Sequence, residues 1–115
     1  MQDSEDFNFE KISALTGSDQ SAMDHFTELF ITHTLGEDWK DLGRSVAEND
    51  CQNVKNMAHK MKASLDLYNM RRASTLIRVI EQNACESSES YKEELSELNL
   101  LLSRIEEQMK SLLQG

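Results

Sequence analysis

Through the second half of this chain, apolar residues recur at every third or fourth position. One stripe is Val54, Ala58, Met61, Leu65 and Tyr68, and a second is Met70, Ala73, Leu76, Ile77, Ile80 and Ala84. A third, near-heptad stripe is Tyr91, Leu95, Leu98, Leu102, Ile105, Met109 and Leu112. That spacing lines one face of an α-helix and cannot line one face of a strand. No proline interrupts the 115 residues and there are only 4 glycines. Nothing therefore removes a helical backbone donor, and the sequence predicts an all-α fold. Six per cent aromatics and few β-branched runs argue in the same direction.

The first half has the same grammar. Phe7, Phe9, Ile12 and Leu15 form a short stripe that stops at Thr16-Gly17, with Ser18 and Asp19 as caps for the next helix. That helix carries Met23, Phe26, Phe30 and Ile31 and runs on, with a kink near Gly36, through Trp39, Leu42 and Val46. Glu48-Asn49-Asp50 reads as a turn, Asn69 as a break, and residues 86–90 as a polar turn. The expectation is an antiparallel up-and-down four-helix bundle with a short additional N-terminal helix covering one end. Residues 1–6 read as a disordered acidic lead-in, and 7–115 as one domain. The last stripe could serve as a dimer seam, but one face must bury against the bundle, which favours a monomer.

A net charge of −9 excludes a global basic field, and with it nucleic acid and anionic membrane surfaces as expected partners. No apolar run approaches the roughly 20 residues that span a bilayer. The acidic start, Met1 to Asp6, is unlike a secretory signal, so a cytoplasmic location is expected. Cys51 and Cys85 match no metal spacing and no disulfide framework, and read as two reduced thiols. Met1 and the length suit a free-standing protein.

The chemistry-bearing residues gather on the helix predicted around residues 51–68. Setting its buried stripe at zero on a wheel of about 100° per residue, His59 lies about 140° away, Lys55 about 100° and Lys62 about 80°. Lys55, His59 and Lys62 thus share an exposed face at i, i+4, i+7. Between Gln52 and Arg78 stand six basic residues (Lys55, Lys60, Lys62, Arg71, Arg72 and Arg78) and one acidic residue, Asp66. An exposed imidazole in a local cationic field suits the holding of a phosphoryl group, because a neutral ring nitrogen is a nucleophile near neutral pH and an ammonium one turn away offsets the added charge. H-x-x-K alone is a weak pattern, and an ordinary surface histidine among solvated lysines fits it equally well. His25 and His33 are two turns apart and cannot chelate one ion as an i, i+4 pair, and no Glu-x-x-His motif is present, so no metal is expected.

Ala58-His59-Lys60-Met61-Lys62-Ala63-Ser64 resembles the signature of histidine-containing phosphotransfer domains, A-H-x-[LIM]-K-G-[SA]. The register continues with Asn69 at the following turn, then Ala73, Ile77 and Ile80-Glu81. Upstream, Leu15 to Asp19, then Met23, Phe26 and Phe30, and the spacer Ala47-Glu48-Asn49-Asp50, are similar to that family's opening. Two positions depart from the pattern: Ala63 and Asn69 stand where the family has glycine. The resemblance implies His59 as phosphoryl acceptor through Nε2, Lys62 as phosphate stabiliser, and Ser64 and Glu81 as polar neighbours. It implies a phosphocarrier between aspartates of receiver domains, belonging to response regulators or hybrid sensor histidine kinases, in a multistep two-component relay.

No Gly-rich phosphate loop, Walker lysine or Mg²⁺-type carboxylate cluster is present, so no autonomous kinase activity and no cofactor is expected, with Mg²⁺ supplied on the partner receiver. The docking surface is expected to combine exposed apolar groups of the second and third helices with Ala63, and with Lys55, Lys60 and Arg71 at its rim. A helical adaptor that binds signalling partners without phosphotransfer is the competing reading.

Overall fold

A computed structural model describes residues 3–114 of the chain, and every regular element among them is helical. The elements are α1 (Glu10–Thr16), α2 (Gln20–Leu29), a π-helical segment (Phe30–Asp38), α3 (Trp39–Ala47), α4 (Cys51–Leu67), α5 (Arg71–Asn83), a 3₁₀ turn (Ser88–Tyr91) and α6 (Lys92–Gln114).

The helix ends follow local chemistry. Gly17 stops α1 in the left-handed region at φ 64°. Asp19 caps α2 by accepting from the Ala22 amide at 3.2 Å, and Asp50 caps α4 by accepting from the Asn53 amide at 3.2 Å. Asn69 takes φ 52° after α4, and its side-chain amide donates to Asn8 Oδ1 at 2.7 Å. Asparagine here does more than tolerate the turn, because it also clamps the N-terminal segment.

From Gln20 to Ala47 the chain is one continuous rod. The junction residues Phe30 and Trp39 both keep right-handed helical dihedrals. Around Gly36, where a kink is expected, the helix widens over nine residues. A Cβ on Gly36 would stand 3.2 Å from the Ile31 carbonyl oxygen, so glycine suits this turn. π-Helical stretches are rare and usually a single turn long, which makes this one unusual.

The strongest packing is α4 on α5, followed by α3 on α4 and α5 on α6, with α6 reaching back to the π-helical segment. The stripes read from the sequence converge: Ile12, Leu42, Ala58, Met61, Leu65, Met70, Ile77, Ile80, Leu98, Ile105 and Met109 are fully buried. Leu101 joins them and broadens the α6 stripe. Leu15 and Phe26, expected in the core, are exposed. The buried position beside Phe26 goes to Thr27. Its hydroxyl donates to the Met23 carbonyl at 2.9 Å and lies 3.2 Å from the Tyr68 hydroxyl, which therefore donates to it. Burial pushes the Tyr68 phenol up, so it stays protonated and keeps this bond.

Of the acidic lead-in, Met1 and Gln2 lie outside the described residues. Asp6 receives both a 2.9 Å and a 2.8 Å bond from the Arg104 guanidinium, and a third from Gln108 at 3.0 Å. The Arg104 guanidinium holds the Asp6 carboxyl below the usual carboxylate range.

The cysteines correct the sequence reading. Cys51 and Cys85 form a disulfide, with Cα atoms 4.8 Å apart. The first residue of α4 and a residue just beyond α5 meet at one end of an antiparallel helix pair. Their separation of 34 positions spans two helices and resembles no cysteine motif. No helix is long and apolar enough to cross a membrane among the described residues.

Candidate functional site

The antiparallel seam between α4 and α5 carries a ladder of polar ties. At one end is the Cys51–Cys85 bond. At the other, the Ser74 hydroxyl donates to Asp66 Oδ1 at 2.6 Å. Between them, His59 Nδ1 lies 3.0 Å from Glu81 Oε2, and Lys62 Nζ lies 3.5 Å from Glu81 Oε1. On α4, residues 51, 55, 59 and 62 fall within about 80° of one another, so one face carries the cysteine, Lys55, His59 and Lys62.

His59 projects from the middle of α4 with its side chain 72% exposed, while its partner Glu81 is only 17% exposed. A carboxylate only accepts hydrogen bonds, so the proton of a neutral His59 ring sits on Nδ1. Nε2 then presents its lone pair away from Glu81. Glu81 is anchored twice, by His59 and by Lys62, and so fixes the ring's orientation as well as its tautomer.

The surrounding charge differs from the count along the sequence. Lys60 is paired with the mostly buried Asp38 at 3.1 Å, turning toward the rod rather than toward His59. Arg72 donates two hydrogen bonds to the Glu97 carboxylate of α6, at 2.6 and 2.8 Å. Glu81 itself offsets Lys62. Lys55, Arg71 and Arg78 are exposed and have no ion pair among the described residues. The local field at His59 is thus more nearly balanced than basic, with one ammonium, Lys62, placed to exchange a carboxylate for another anion.

Ala63 is exposed one turn from His59 and leaves the surface there low. Ser64 lies on the other flank. It lines an open cavity of about 200 Å³ together with Phe26, Leu29, Leu67, His33 and Tyr68. Phe26 and Leu29 are each 40% exposed, forming an apolar patch on α2 beside the C-terminal half of α4.

The structure therefore brings His59, Lys62 and Glu81 together, sets Ala63 one turn from His59, turns Ser64 to the opposite flank of α4 toward α2, and directs Lys60 elsewhere. Asp38 escaped the sequence reading, and Phe26, expected in the core, stands exposed beside Leu29. Asp38 carries no spacing signal relative to Lys60, because the two meet only across packed helices. His25 and His33 are both exposed, and His33 pairs with Glu37 at 3.1 Å. No cluster of three or more metal-ligating side chains occurs among the described residues.

Comparison with protein-family models, with curated proteins and with solved structures gives no match to this chain.

Proposed function

We propose that this protein is a phosphocarrier that takes a phosphoryl group on His59 Nε2 from a receiver-domain aspartate and returns it to another receiver. The observation that carries the reading is the His59–Glu81 contact: an exposed imidazole whose Nδ1 proton is held by a carboxylate, leaving Nε2 free. The signature-like run Ala58 to Ser64 supports it from the sequence. On this reading the rod from α2 to α3, with α4, α5 and α6, makes an antiparallel four-helix bundle in one domain, with α1 as the additional N-terminal helix. The protein works in the cytoplasm as a monomer.

The proposed step is a substitution at phosphorus. The Nε2 lone pair forms the N–P bond as the acyl phosphate P–O bond breaks, and the aspartate leaves as carboxylate. The positive charge that develops on the ring is shared with Nδ1–H, which faces Glu81 at 3.0 Å. Lys62 can turn from Glu81 to the phosphoryl oxygens without a change of backbone. The receiver brings the aspartate and its metal, while this chain contributes position and charge. The Phe26–Leu29 patch offers the apolar part of the docking surface, and Lys55 and Arg71 the charged rim.

The test is to load a receiver domain with a small-molecule phosphodonor and Mg²⁺, mix it with this chain, and read intact mass at neutral pH. One acid-labile phosphoryl on the wild type, absent from His59→Gln, is expected. Binding of receivers with no adduct would instead favour a helical adaptor that uses the Phe26–Leu29 patch and leaves His59 idle.

A further inference from the structure

The disulfide and the His59–Glu81 contact are rungs of one ladder. Glu81 lies in the last turn of α5, four residues before Cys85, and His59 lies eight residues after Cys51, about 12 Å along α4. Past Asn83 the α5 backbone leaves the helix, and the chain turns through exposed residues 85–90 before Tyr91 re-enters the core. Noncovalent ties at this end are the Glu86 amide donating to the Asn83 carbonyl at 3.0 Å, the Ser90 hydroxyl donating to the same carbonyl at 3.5 Å, and the burial of Ala84. The Cys51–Cys85 bond is the covalent tie between the end of α5 and the start of α4, added to the packing of Val54, Ile80 and Ala84. Cys85 is exposed and Cys51 partly so, which leaves the bond within reach of a thiol reagent.

We infer that Cys51 and Cys85 form a reversible redox site, whose oxidised state fixes the register in which Glu81 holds His59 and whose reduced state slackens it. This rests on the reading of His59 as the phosphoryl acceptor. Reduction by a dithiol proceeds by thiolate attack on the more exposed Cys85 Sγ. Cys51 leaves as a thiolate in the first turn of α4, at the positive end of the helix dipole, and then takes up a proton. The second thiol of the reagent resolves the mixed disulfide. Two cysteine thiols form, and the dithiol becomes a disulfide. Oxidised glutathione runs the change in reverse.

With the bond open, the last turn of α5 frays and Glu81 spends less time on Nδ1. The ring then samples both tautomers, and Nε2 is less often the free nitrogen. Acceptance of phosphoryl is expected to slow about fivefold, the weight of a partly lost orienting hydrogen bond.

The test uses the full chain in two states, one treated with oxidised glutathione and one reduced with dithiothreitol, each desalted before measurement. Intact mass should show the oxidised form lighter by two hydrogens. The imidazole ¹⁵N shifts of His59 should report a dominant Nδ1–H tautomer when oxidised and a mixed population when reduced, and the transfer rate should fall accordingly. Cys51→Ala/Cys85→Ala should match the reduced protein under both treatments. Free thiols persisting after oxidation, or identical ¹⁵N shifts in the two states, would overturn the inference. Absence of phosphoryl uptake in both states would sink the carrier reading instead, because the ¹⁵N shifts still decide the coupling.

Discussion

At the scale of single residues, the proposed reaction at His59 Nε2 needs something to hold Nδ1. Glu81 meets that need from a neighbouring helix, and its replacement separates orientation from charge. Glu81→Gln keeps an acceptor for Nδ1 but loses the negative charge that faces the developing imidazolium, so single-turnover phosphoryl uptake should slow about tenfold. Glu81→Ala loses both, and the loss should approach a hundredfold, the range expected for one charge-assisted hydrogen bond. Lys62→Ala should cost less, about two- to fivefold, because its ammonium is partly solvated and exposed pairs are weak. How far these residues could be read in advance follows from geometry. His59 and Lys62 are one helical turn apart, and spacing alone finds them. Glu81 lies 22 positions from His59 and enters only through the register of a family resemblance. Asp38, which takes Lys60 out of the cationic face, has no such register and was invisible.

At the scale of elements, the helix boundaries were the readable part, because caps are local chemistry. Gly17, Asp19, Asp50 and Asn69 all end or begin helices where the sequence put them. Asn69→Ala tests that logic. It forces alanine into the left-handed region and releases Asn8, so it should destabilise by about 2 kcal/mol in urea unfolding. The π-helical widening was not readable, since the same residue types satisfy α and π hydrogen bonding and no proline marks the place. Two glycines of the rod make the difference measurable. Gly43 lies in α3 with open space where a Cβ would go, so Gly43→Ala should stabilise by about 1 kcal/mol. At Gly36 the Ile31 carbonyl crowds the new methyl, and Gly36→Ala should gain markedly less. Equal gains at both sites would argue that the segment relaxes to ordinary α-helix.

At the scale of the molecule, the body measures 44 × 21 × 21 Å, and different chemistries close its two ends. The disulfide joins residues 34 apart at one end, and restricting that loop in the unfolded chain is worth about 3–4 kcal/mol by loop-entropy estimates. Reduction should lower the thermal midpoint accordingly, in calorimetry of the full chain. At the other end, Asp6 straps the N-terminal segment to α6 through Arg104. The folded state holds this carboxyl below its unfolded value, so the strap contributes stability above pH ~4 and loses it as pH falls through the lowered value. Asp6→Asn should therefore be less stable than wild type at pH 7, with the gap closing as pH falls through the lowered Asp6 value. Neither end was legible, because both depend on residues distant in sequence that packing alone brings together. The all-helical fold was legible, because periodicity and the lack of proline are properties of the chain itself. Trp39, the single tryptophan, sits between these ends and donates its indole N–H to Asn99 of α6 at 3.3 Å. It faces the α3–α6 side, not the seam with His59. Its fluorescence should therefore follow unfolding faithfully yet stay nearly dark to phosphoryl loading, a built-in optical reference against which any probe placed near His59 can be read.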